Sequence, residues 1–370
     1  MKVILYIGHH KVGSTALQVF LSQNSHRLLQ AGILYPAVEM QGFSHLLSKA
    51  MGRGDKQEFL PANIREPHSA LAYRLIFEKT KRPIPPQFKM LPGAAQMLHA
   101  IRCQVAQVKP RTLVLCSEAF ANFGEVGPEL IDRLRTAFPE AELEIYCAFR
   151  RPDQYLVAWH GQRIKVAERV PPLHELACRH YPGTIHFDFR KVIEAWHTQL
   201  PEARLILRNY ADILAAKGSP QDFMAQTGAD WPEGLLPVGK PNRSLPFAAM
   251  EIVRRASMEL PRPMAQKFSQ YLIQSGPDLT AHPDDEIEML TPRDRKTLSD
   301  RFHPIHDYLS KLSGAAAFFP DIDELARSRP IPEAQAAAAY LAQLDPAAMP
   351  TPEITAFVST LQAEYGKRVR

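Results

Sequence analysis

The chain has little cysteine and no motif that would organise it around disulfides or a metal ion. Four cysteines occur in 370 residues, none in a C-x-x-C pair, and Cys116 and Cys147 fall in predicted core strands. This usage indicates reduced, buried thiols rather than a disulfide framework. The sequence also lacks H-E-x-x-H and G-x-S-x-G. We therefore expect no bound metal and no hydrolase-type serine nucleophile.

The chain also lacks long apolar runs and a large excess of charge of one sign. No stretch approaches 18 uninterrupted apolar residues, and no charged-then-apolar leader precedes the first predicted strand. We expect no membrane span, no cleaved signal and a cytoplasmic location. Lysine and arginine number 44 against 39 acidic residues, and the basic residues are scattered. This balance suits an enzyme with small anionic ligands better than a nucleic-acid binder, which usually carries a dense basic stripe.

Alternating strand and helix patterns predict an α/β fold with three layers, in which helices cover both faces of a parallel central sheet. The predicted strands are short, apolar and rich in β-branched residues, and they lie at 2–8, 112–117, 143–149 and 204–207. The predicted helices run from residue 15 and over 94–107, 128–137, 153–168 and 187–199. The length and the 45% hydrophobic content indicate one large domain with an appendage.

Two segments fall outside this alternation. Residues 36–95 contain seven prolines and no long regular period apart from a helical stretch at 69–79. We interpret this region as a variable insertion in the domain; a solvated connection fits equally well. The chain is mostly helical beyond residue 212, and an alanine-rich tail follows residue 328. The main domain is therefore placed at 1–327 and a helical appendage at 328–370, which packs on the body or forms a homo-oligomer contact.

The most informative segment is HHKVGSTAL at residues 9–17, between a predicted strand and an amphipathic helix. A tight strand-to-helix turn leaves backbone N–H groups at the positive end of the helix dipole, and Lys11 adds a full charge. The segment therefore predicts a phosphate-binding loop. It is not the nucleoside-triphosphate loop G-x-x-x-x-G-K-[ST], because Ser14 follows Gly13 and the lysine lies two residues earlier.

The pattern K-x-G-[ST]-T-x-x-L in this segment resembles the 5′-phosphosulfate loop of sulfotransferases that use 3′-phosphoadenosine-5′-phosphosulfate (PAPS). Within that superfamily the chain resembles a bacterial group with openings like HKTGSTALQ, over residues 1 to about 320. The resemblance implies a P-loop-like fold without a metal. It also implies sulfuryl transfer to a hydroxyl of a carbohydrate or small metabolite, with residues 36–95 shaping the acceptor pocket. PAPS would be held by Lys11, Gly13, Ser14 and Thr15.

A second motif follows the third predicted strand. Residues 149–152, Phe-Arg-Arg-Pro, resemble the family's 3′-phosphate motif Arg-x-Pro, with Arg150 in the arginine position. The family's serine eight residues later is Ala158 in this chain. Either Arg163 or Arg243 compensates for the missing hydroxyl, or discrimination of the 3′-phosphate is weaker. The alternative is that the two arginines are surface charges at the start of a helix.

The candidate general base is Glu118, which follows the predicted strand 112–117. Several sulfotransferases place a catalytic glutamate just past the corresponding strand, where it takes the proton of the acceptor hydroxyl. His9 and His10, which flank Lys11, are the competing bases, because a histidine titrates near neutral pH. Glu118 is favoured, and a structural Glu118 paired with an arginine remains an alternative.

Two other functions remain open. A kinase of the phosphate-loop class is disfavoured because the lysine is misplaced and no aspartate partners an obvious magnesium site. A non-catalytic nucleotide-binding or assembly subunit would explain Ala158 as a sign of decay and the tail as a docking element. Binding of adenosine 3′,5′-bisphosphate without turnover would favour this second alternative.

Overall fold

A five-stranded parallel sheet organises the first of two compact units in the computed structural model of this chain, which describes residues 1–53, 60–84, 90–239, 244–275, 279 and 282–368. The first unit comprises Met1–Arg150, Asp188–Pro241 and Ile305–Phe319. The second comprises Arg151–Phe187, Asn242–Pro304 and Pro320–Arg370. Both units are therefore built from separate segments of the chain.

The strands of the first unit are β1 Lys2–Tyr6, β2 Ile33–Leu34, β3 Thr112–Cys116, β4 Glu142–Phe149 and β5 Arg204–Asn209. Its helices are α1 Ser14–Gln23, α2 Ser25–Gln30, α3 Met40–Ala50, α4 Ala62–Arg65, α5 Pro67–Thr80, α6 Ala94–Val108, α7 Phe123–Val126, α8 Glu129–Ala137, α11 Arg190–Gln199, α12 Tyr210–Ala215 and α13 Ser219–Gln226. The second unit contains α9 Pro152–Lys165, α10 Leu173–Ala177, α14 Phe247–Glu259, α15 Arg262–Ser275, α17 Glu333–Gln343, α18 Pro352–Arg368 and the short strands β6 Ile287–Glu288 and β7 Ile331–Pro332. Helix α16, Pro292–Ser313, contributes to both units.

The sheet has the order β2-β3-β1-β4-β5, and every neighbouring pair is parallel. All side chains of 3–7 are buried, whichever face of β1 they point from, so both faces of the sheet are covered. A parallel strand covered on both faces needs such a continuous apolar run. The predicted α/β class with a parallel central sheet is therefore confirmed. Strand β2 was not predicted, because a two-residue strand carries no period to recognise.

The helix predicted from residue 15 is interrupted at Asn24. Its side-chain Nδ2 donates to the carbonyl of Phe20 at 2.9 Å, and its Oδ1 accepts the N–H of Leu236 at 2.8 Å. A side chain that bonds neighbouring backbone groups competes with the helix ladder. The chain therefore forms two helices, α1 and α2, where the apolar period suggested one.

Residues 36–95 are more regular than the sequence indicated, because α3, α4 and α5 lie among the described part of this region. Two of the prolines there lie at helix starts rather than inside helices. Pro61 precedes α4, and Pro67 occupies the first turn of α5. A proline at a helix start costs no hydrogen bond, since that N–H lacks an intrahelical partner in any case.

The alanine-rich tail forms the expected pair of helices, α17 and α18, which contact each other. Within the second unit, α17 packs against α14 and α18 packs against α15. The small side chains of α17 allow this close approach, and Ala336 and Ala337 are fully buried. Self-association through this segment stays a prediction.

A buried carboxylate joins α13 to two strands of the sheet. Asp222 accepts a hydrogen bond from the Tyr146 hydroxyl at 2.5 Å and from both forks of the Arg208 guanidinium, the shorter at 2.7 Å. Burial and the bond to Asp222 raise the pKa of Tyr146. The Tyr146 ring in turn stacks on Tyr6 of β1, with centroids 5.5 Å apart. Asp222 therefore fixes β4 and β5 and, through the two rings, the end of β1.

We expect Asp222→Ala to lower the free energy of unfolding by about 3–5 kcal/mol, because the Arg208 charge and the Tyr146 hydroxyl would lose their buried partner. Urea denaturation followed by circular dichroism measures this change. Asp230→Ala is the control, since the Asp230 side chain is 88% exposed. Equal stability of the two variants would show that Asp222 does not anchor the sheet.

Candidate functional site

The loop between β1 and α1 leaves the sheet at its topological switch point. Strands β1 and β4 are neighbours in the sheet, but the chain leaves them in opposite directions. After β1 it leads to β2, on the β3 side of β1, whereas after β4 it leads to β5 on the far side of β4. A crevice opens at the carboxyl ends of two adjacent strands with such diverging connections. The N–H groups of Ile7 and His9 donate to the carbonyls of Tyr146 and Ala148 at 3.0 and 3.1 Å. These bonds continue the β1–β4 ladder and fix where the loop begins.

The loop contains three residues in the left-handed region, Gly8 at φ 25°, Lys11 at 62° and Gly13 at 85°. A Cβ at Gly8 would lie 2.4 Å from the Tyr6 ring, and a Cβ at Gly13 would lie 2.2 Å from Ser219 Oγ. The Ser219 hydroxyl also donates to the carbonyl of Val12 at 3.2 Å. Both glycines are thus required by backbone conformation and by close contact.

The four residues predicted to hold a phosphate group come together at the start of α1. Gly13 is the N-cap, and no side chain in the described part of the chain is seen to cap the helix. The first N–H groups of α1 therefore retain the partial positive charge of an uncapped helix start. Ser14 is buried, Thr15 is exposed and Lys11 is half-buried. This arrangement of backbone, hydroxyl and ammonium groups favours an anion at the loop.

Glu118 begins a 3₁₀ turn directly after β3, on the opposite side of β1 from β4. Its Oε2 accepts a hydrogen bond from Gln18 Nε2 of α1 at 3.2 Å. The same amide group lies 3.1 Å from Ser69 Oγ, and Ser69 Oγ lies 3.0 Å from Ser117 Oγ. Among the described residues Glu118 forms no ion pair. Its observed partner is therefore an amide, and not the arginine considered from the sequence.

The surroundings of Glu118 are poorly hydrated and carry negative charge. Burial raises the pKa of Glu66, and the Glu118 charge adds to this shift although the nearby Arg65 opposes it. Burial and the same charge raise the pKa of Cys116 and, to about 12, that of Tyr73.

The two candidate histidines differ in their environments. His9 is fully buried, and its ring lies 4.9 Å from the ring of Phe189. Burial and the charge of Lys11 lower the pKa of His10 to about 4. With that pKa, His10 is neutral at pH 7 and no stronger a base than an ordinary carboxylate. The usual advantage of histidine near neutral pH is therefore lost at this position.

Arg150 and Arg151 have separate environments. Arg150 follows β4, and its guanidinium carbon lies 5.3 Å from the centroid of the Tyr210 ring, in cation–π contact. Arg151 belongs to the second unit, where its buried guanidinium bonds the carboxylates of Asp153 and Asp321. The carboxyl end of β4 thus presents Arg150, and Arg151 serves an ion-pair network.

Ala158 and the two arginines considered as replacements for the missing serine differ in their surroundings. Ala158 lies half-buried on α9 and offers no hydrogen-bonding side chain. The Arg163 guanidinium donates to Glu168 at 2.5 and 3.0 Å and to the Tyr181 hydroxyl at 3.0 Å. A role in anion binding would compete with these three bonds. Arg243 lies outside the described residues.

Sequence reasoning missed Gln18, Tyr210 and Ser219. Tyr210 and Ser219 are distant in sequence from the groups they contact, so no local pattern could reveal them. Gln18 carried a readable signal, because it follows Ser14 by four residues and precedes Ser22 by four on an otherwise apolar helix face. Polar residues at that spacing share one face of the helix.

Comparison with known proteins gives no match, since no family model, no curated protein and no solved structure is similar to the chain. Across the described ranges, no three histidine, cysteine, aspartate or glutamate side chains are grouped as a metal site. No helix in those ranges has both the length and the apolar character needed to cross a bilayer. The geometry of the loop and its neighbours is therefore the basis for a functional proposal.

Gly8→Ala should destabilise the protein by about 2 kcal/mol or more, because the added methyl group meets the Tyr6 ring at a left-handed backbone position. Gly183→Ala is the matched control, since its added Cβ would have no neighbour within 4 Å. Denaturant unfolding of both variants measures the difference. A Gly8→Ala variant as stable as Gly183→Ala would mean that the loop adapts to the side chain.

Proposed function

We propose that this chain is a PAPS-dependent sulfotransferase that acts on a hydroxyl of a carbohydrate or small-metabolite acceptor. The observation that carries the proposal is the position of three groups at one edge of the sheet. Lys11, Glu118 and Arg150 follow the carboxyl ends of β1, β3 and β4, and β1 lies between the other two strands. Neighbouring strands are about 4.8 Å apart. An anion at the central loop would thus have a carboxylate on one side and a guanidinium on the other.

The loop residues fit a phosphate-containing donor. Gly8 and Gly13 keep side chains out of the turn, and the uncapped start of α1 offers N–H groups beside Lys11. When bound, PAPS supplies a sulfuryl group attached to a phosphate leaving group. Lys11 and the helix N–H groups would bind that phosphate and stabilise the negative charge that grows there during transfer. Ser14 and Thr15 would add hydroxyl donors, and the loop and the sheet would together form a P-loop-like fold.

Arg150 is the candidate for the 3′-phosphate, the group that separates PAPS from ATP. The Tyr210 ring restricts where its guanidinium can lie. A planar guanidinium forms paired hydrogen bonds to phosphate oxygens, which suits recognition of a terminal phosphate. Since Ala158 contributes no hydroxyl, recognition depends more heavily on Arg150 than the family pattern implies. Arg243 remains a second candidate donor.

Glu118 is the candidate base for the acceptor hydroxyl. Gln18 holds Oε2, and Oε1 accepts no hydrogen bond from the described residues. One oxygen is thus oriented by the protein, and the other is available to accept a proton. The pKa of His10, lowered to about 4, removes the reason to prefer His10 over this carboxylate.

We expect adenosine 3′,5′-bisphosphate to raise the melting temperature more than ATP with magnesium does, because a ligand of the folded state stabilises it by mass action. Arg150→Ala should reduce the shift given by the bisphosphate. Arg111→Ala, an exposed arginine at the opposite edge of the sheet, should retain it. Equal shifts from both nucleotides in the unaltered protein would contradict the donor assignment and favour a kinase.

Glu118→Gln should lower turnover by about 10²- to 10⁴-fold, since the amide keeps the shape of the side chain but cannot accept the proton. Transfer of radiolabelled sulfuryl from PAPS to fractions of cell extract measures turnover, and the bisphosphate melting shift confirms donor binding. Glu125→Gln, which alters a partly exposed carboxylate of α7, is the control. Near-normal turnover of a folded Glu118→Gln protein would transfer the role to His9 or His10. Donor binding without turnover in the unaltered chain would favour the non-catalytic alternative.

A further inference from the structure

The first residue of α13 lies against the loop between β1 and α1. This residue is Ser219, whose hydroxyl donates to the Val12 carbonyl at 3.2 Å. A Cβ at Gly13 would lie 2.2 Å from the same hydroxyl oxygen, so the two segments touch at this point. Ser219 is 5% exposed, and Val12 is fully buried. The carbonyl that precedes Gly13 is therefore held by a residue from a distant part of the chain.

This bond determines the direction of the Gly13 N–H group. The Val12–Gly13 peptide bond is trans. In a planar trans peptide the carbonyl oxygen and the N–H of the next residue point in opposite directions. Because the Val12 oxygen points to Ser219, the Gly13 N–H points away from Ser219. Among the described residues, no backbone carbonyl accepts a hydrogen bond from this N–H.

The Gly13 N–H is one of three successive N–H groups at the start of α1. Gly13 is left-handed, with φ 85° and ψ 14°, and Ser14 begins the right-handed helix. Successive residues of opposite hand turn their N–H groups toward one concave point that binds anions. Ala16 and Leu17 donate the first helical bonds, both to the Gly13 carbonyl, at 3.1 and 3.3 Å. The helix itself therefore does not use the N–H groups of Gly13, Ser14 and Thr15.

Glycine at position 13 would allow the peptide before it to flip. A flip of the Val12–Gly13 peptide changes φ at Gly13, and glycine adopts positive and negative φ about equally well. The flipped peptide would direct the Val12 oxygen, instead of the Gly13 N–H, at a bound anion. The flip would also leave the buried Ser219 hydroxyl without its acceptor, which is costly. The bond from Ser219 therefore stabilises the orientation that favours an anion.

The sheet holds Ser219 in place. Asp222, in the same first turn of α13, is fully buried and bonds the Arg208 guanidinium of β5 and the Tyr146 hydroxyl of β4. The buried ion pair fixes the start of α13 relative to both strands. The position of the Ser219 hydroxyl, and through it the orientation of the Val12–Gly13 peptide, therefore depends on the strands that flank the loop.

We infer that Ser219 is a positioning residue for the donor, because its hydroxyl holds the Val12 carbonyl so that the Gly13 N–H points at the phosphate that carries the sulfuryl group. This inference rests on the proposed sulfotransferase function. The Gly13 N–H would act together with those of Ser14 and Thr15. A fixed N–H group stabilises the negative charge that grows on the leaving phosphate during transfer. In this role Ser219 acts through the peptide and not by touching the donor.

Nuclear magnetic resonance tests the direction of the Gly13 N–H in the unaltered protein. Valine precedes glycine only at 12–13, 126–127 and 238–239, so labelling of valine carbonyls with ¹³C and of glycine with ¹⁵N reports these peptides alone. The Gly13 signal is assigned by its loss in Val12→Ile. Saturation with adenosine 3′,5′-bisphosphate should shift the Gly13 N–H signal and leave that of Gly127 unchanged. A Gly13 signal that does not respond to the bound bisphosphate would overturn the inference.

Calorimetry measures what the loop contributes to affinity, as the ratio of the Kd for adenosine 3′-monophosphate to the Kd for adenosine 3′,5′-bisphosphate. Ser219→Ala should lower this ratio about 10-fold, since a hydrogen bond to a charged phosphate is lost. Ser22→Ala is the matched control, because Ser22 is 4% exposed and its hydroxyl donates to the Ile64 carbonyl, also at 3.2 Å. This control should keep the ratio of the unaltered protein. Equal ratios in the two variants would overturn the inference.

Transfer assays separate this inference from the function on which it rests. With saturating radiolabelled PAPS and one active fraction of cell extract as the acceptor source, Ser219→Ala should lower the maximal rate about 10-fold or more. The amount of fraction that gives half the maximal rate should stay unchanged, because acceptor binding is not altered. A maximal rate equal to that of Ser22→Ala would overturn the role of Ser219 and uphold the sulfotransferase. Absence of transfer by the unaltered protein, with the Gly13 signal and the affinity ratio as expected, would overturn the proposed function and with it the donor role of Ser219.

Discussion

The close contact between Gly8 and the Tyr6 ring determines how the loop leaves the sheet. Tyr6 is the last residue of β1, and its ring occupies the space that any side chain at position 8 would need. The Tyr6 ring stacks on the Tyr146 ring, and the Tyr146 hydroxyl donates a hydrogen bond to the buried Asp222. Asp222 is neutralised by Arg208 of β5. A chain of contacts through the sheet thus sets the backbone path from which Lys11 and the start of α1 follow.

Most of the fold could be predicted from the sequence because buried parallel strands leave continuous apolar runs and amphipathic helices leave a strong period. The strands at residues 2, 112, 143 and 204 begin within one residue of where the structure places them. The failures were local and had side-chain causes. Asn24 bonds the backbone of Phe20 and of Leu236 where α1 ends, and Pro61 and Pro67 lie at the starts of α4 and α5 instead of preventing these helices. The hydrophobic periodicity of the sequence cannot reveal either effect, because each depends on individual hydrogen bonds.

The candidate site was predictable to a lesser degree. Lys11 and Gly13 could be found because the loop that we propose binds an anion is a short, contiguous pattern. Tyr210 and Ser219 could not be assigned, since their importance comes from contact with groups far away in the chain. The difference between Arg150 and Arg151 was also hidden. The two adjacent arginines differ only in their spatial neighbours. Arg150 contacts the Tyr210 ring, whereas Arg151 bonds Asp153 and Asp321.

The groups of the first unit divide into two sets along the chain. The loop, Glu118 and Arg150 follow strand ends of the sheet, whereas α3, α4 and α5 all come from the one segment of chain between β2 and β3. Because α4 packs against α1 and α5 packs against the turn that begins at Glu118, substitutions in that segment can change what surrounds these groups without altering the strand order or the loop. The part of the chain that a protein engineer would vary is therefore separate in sequence from the turn that we propose binds an anion.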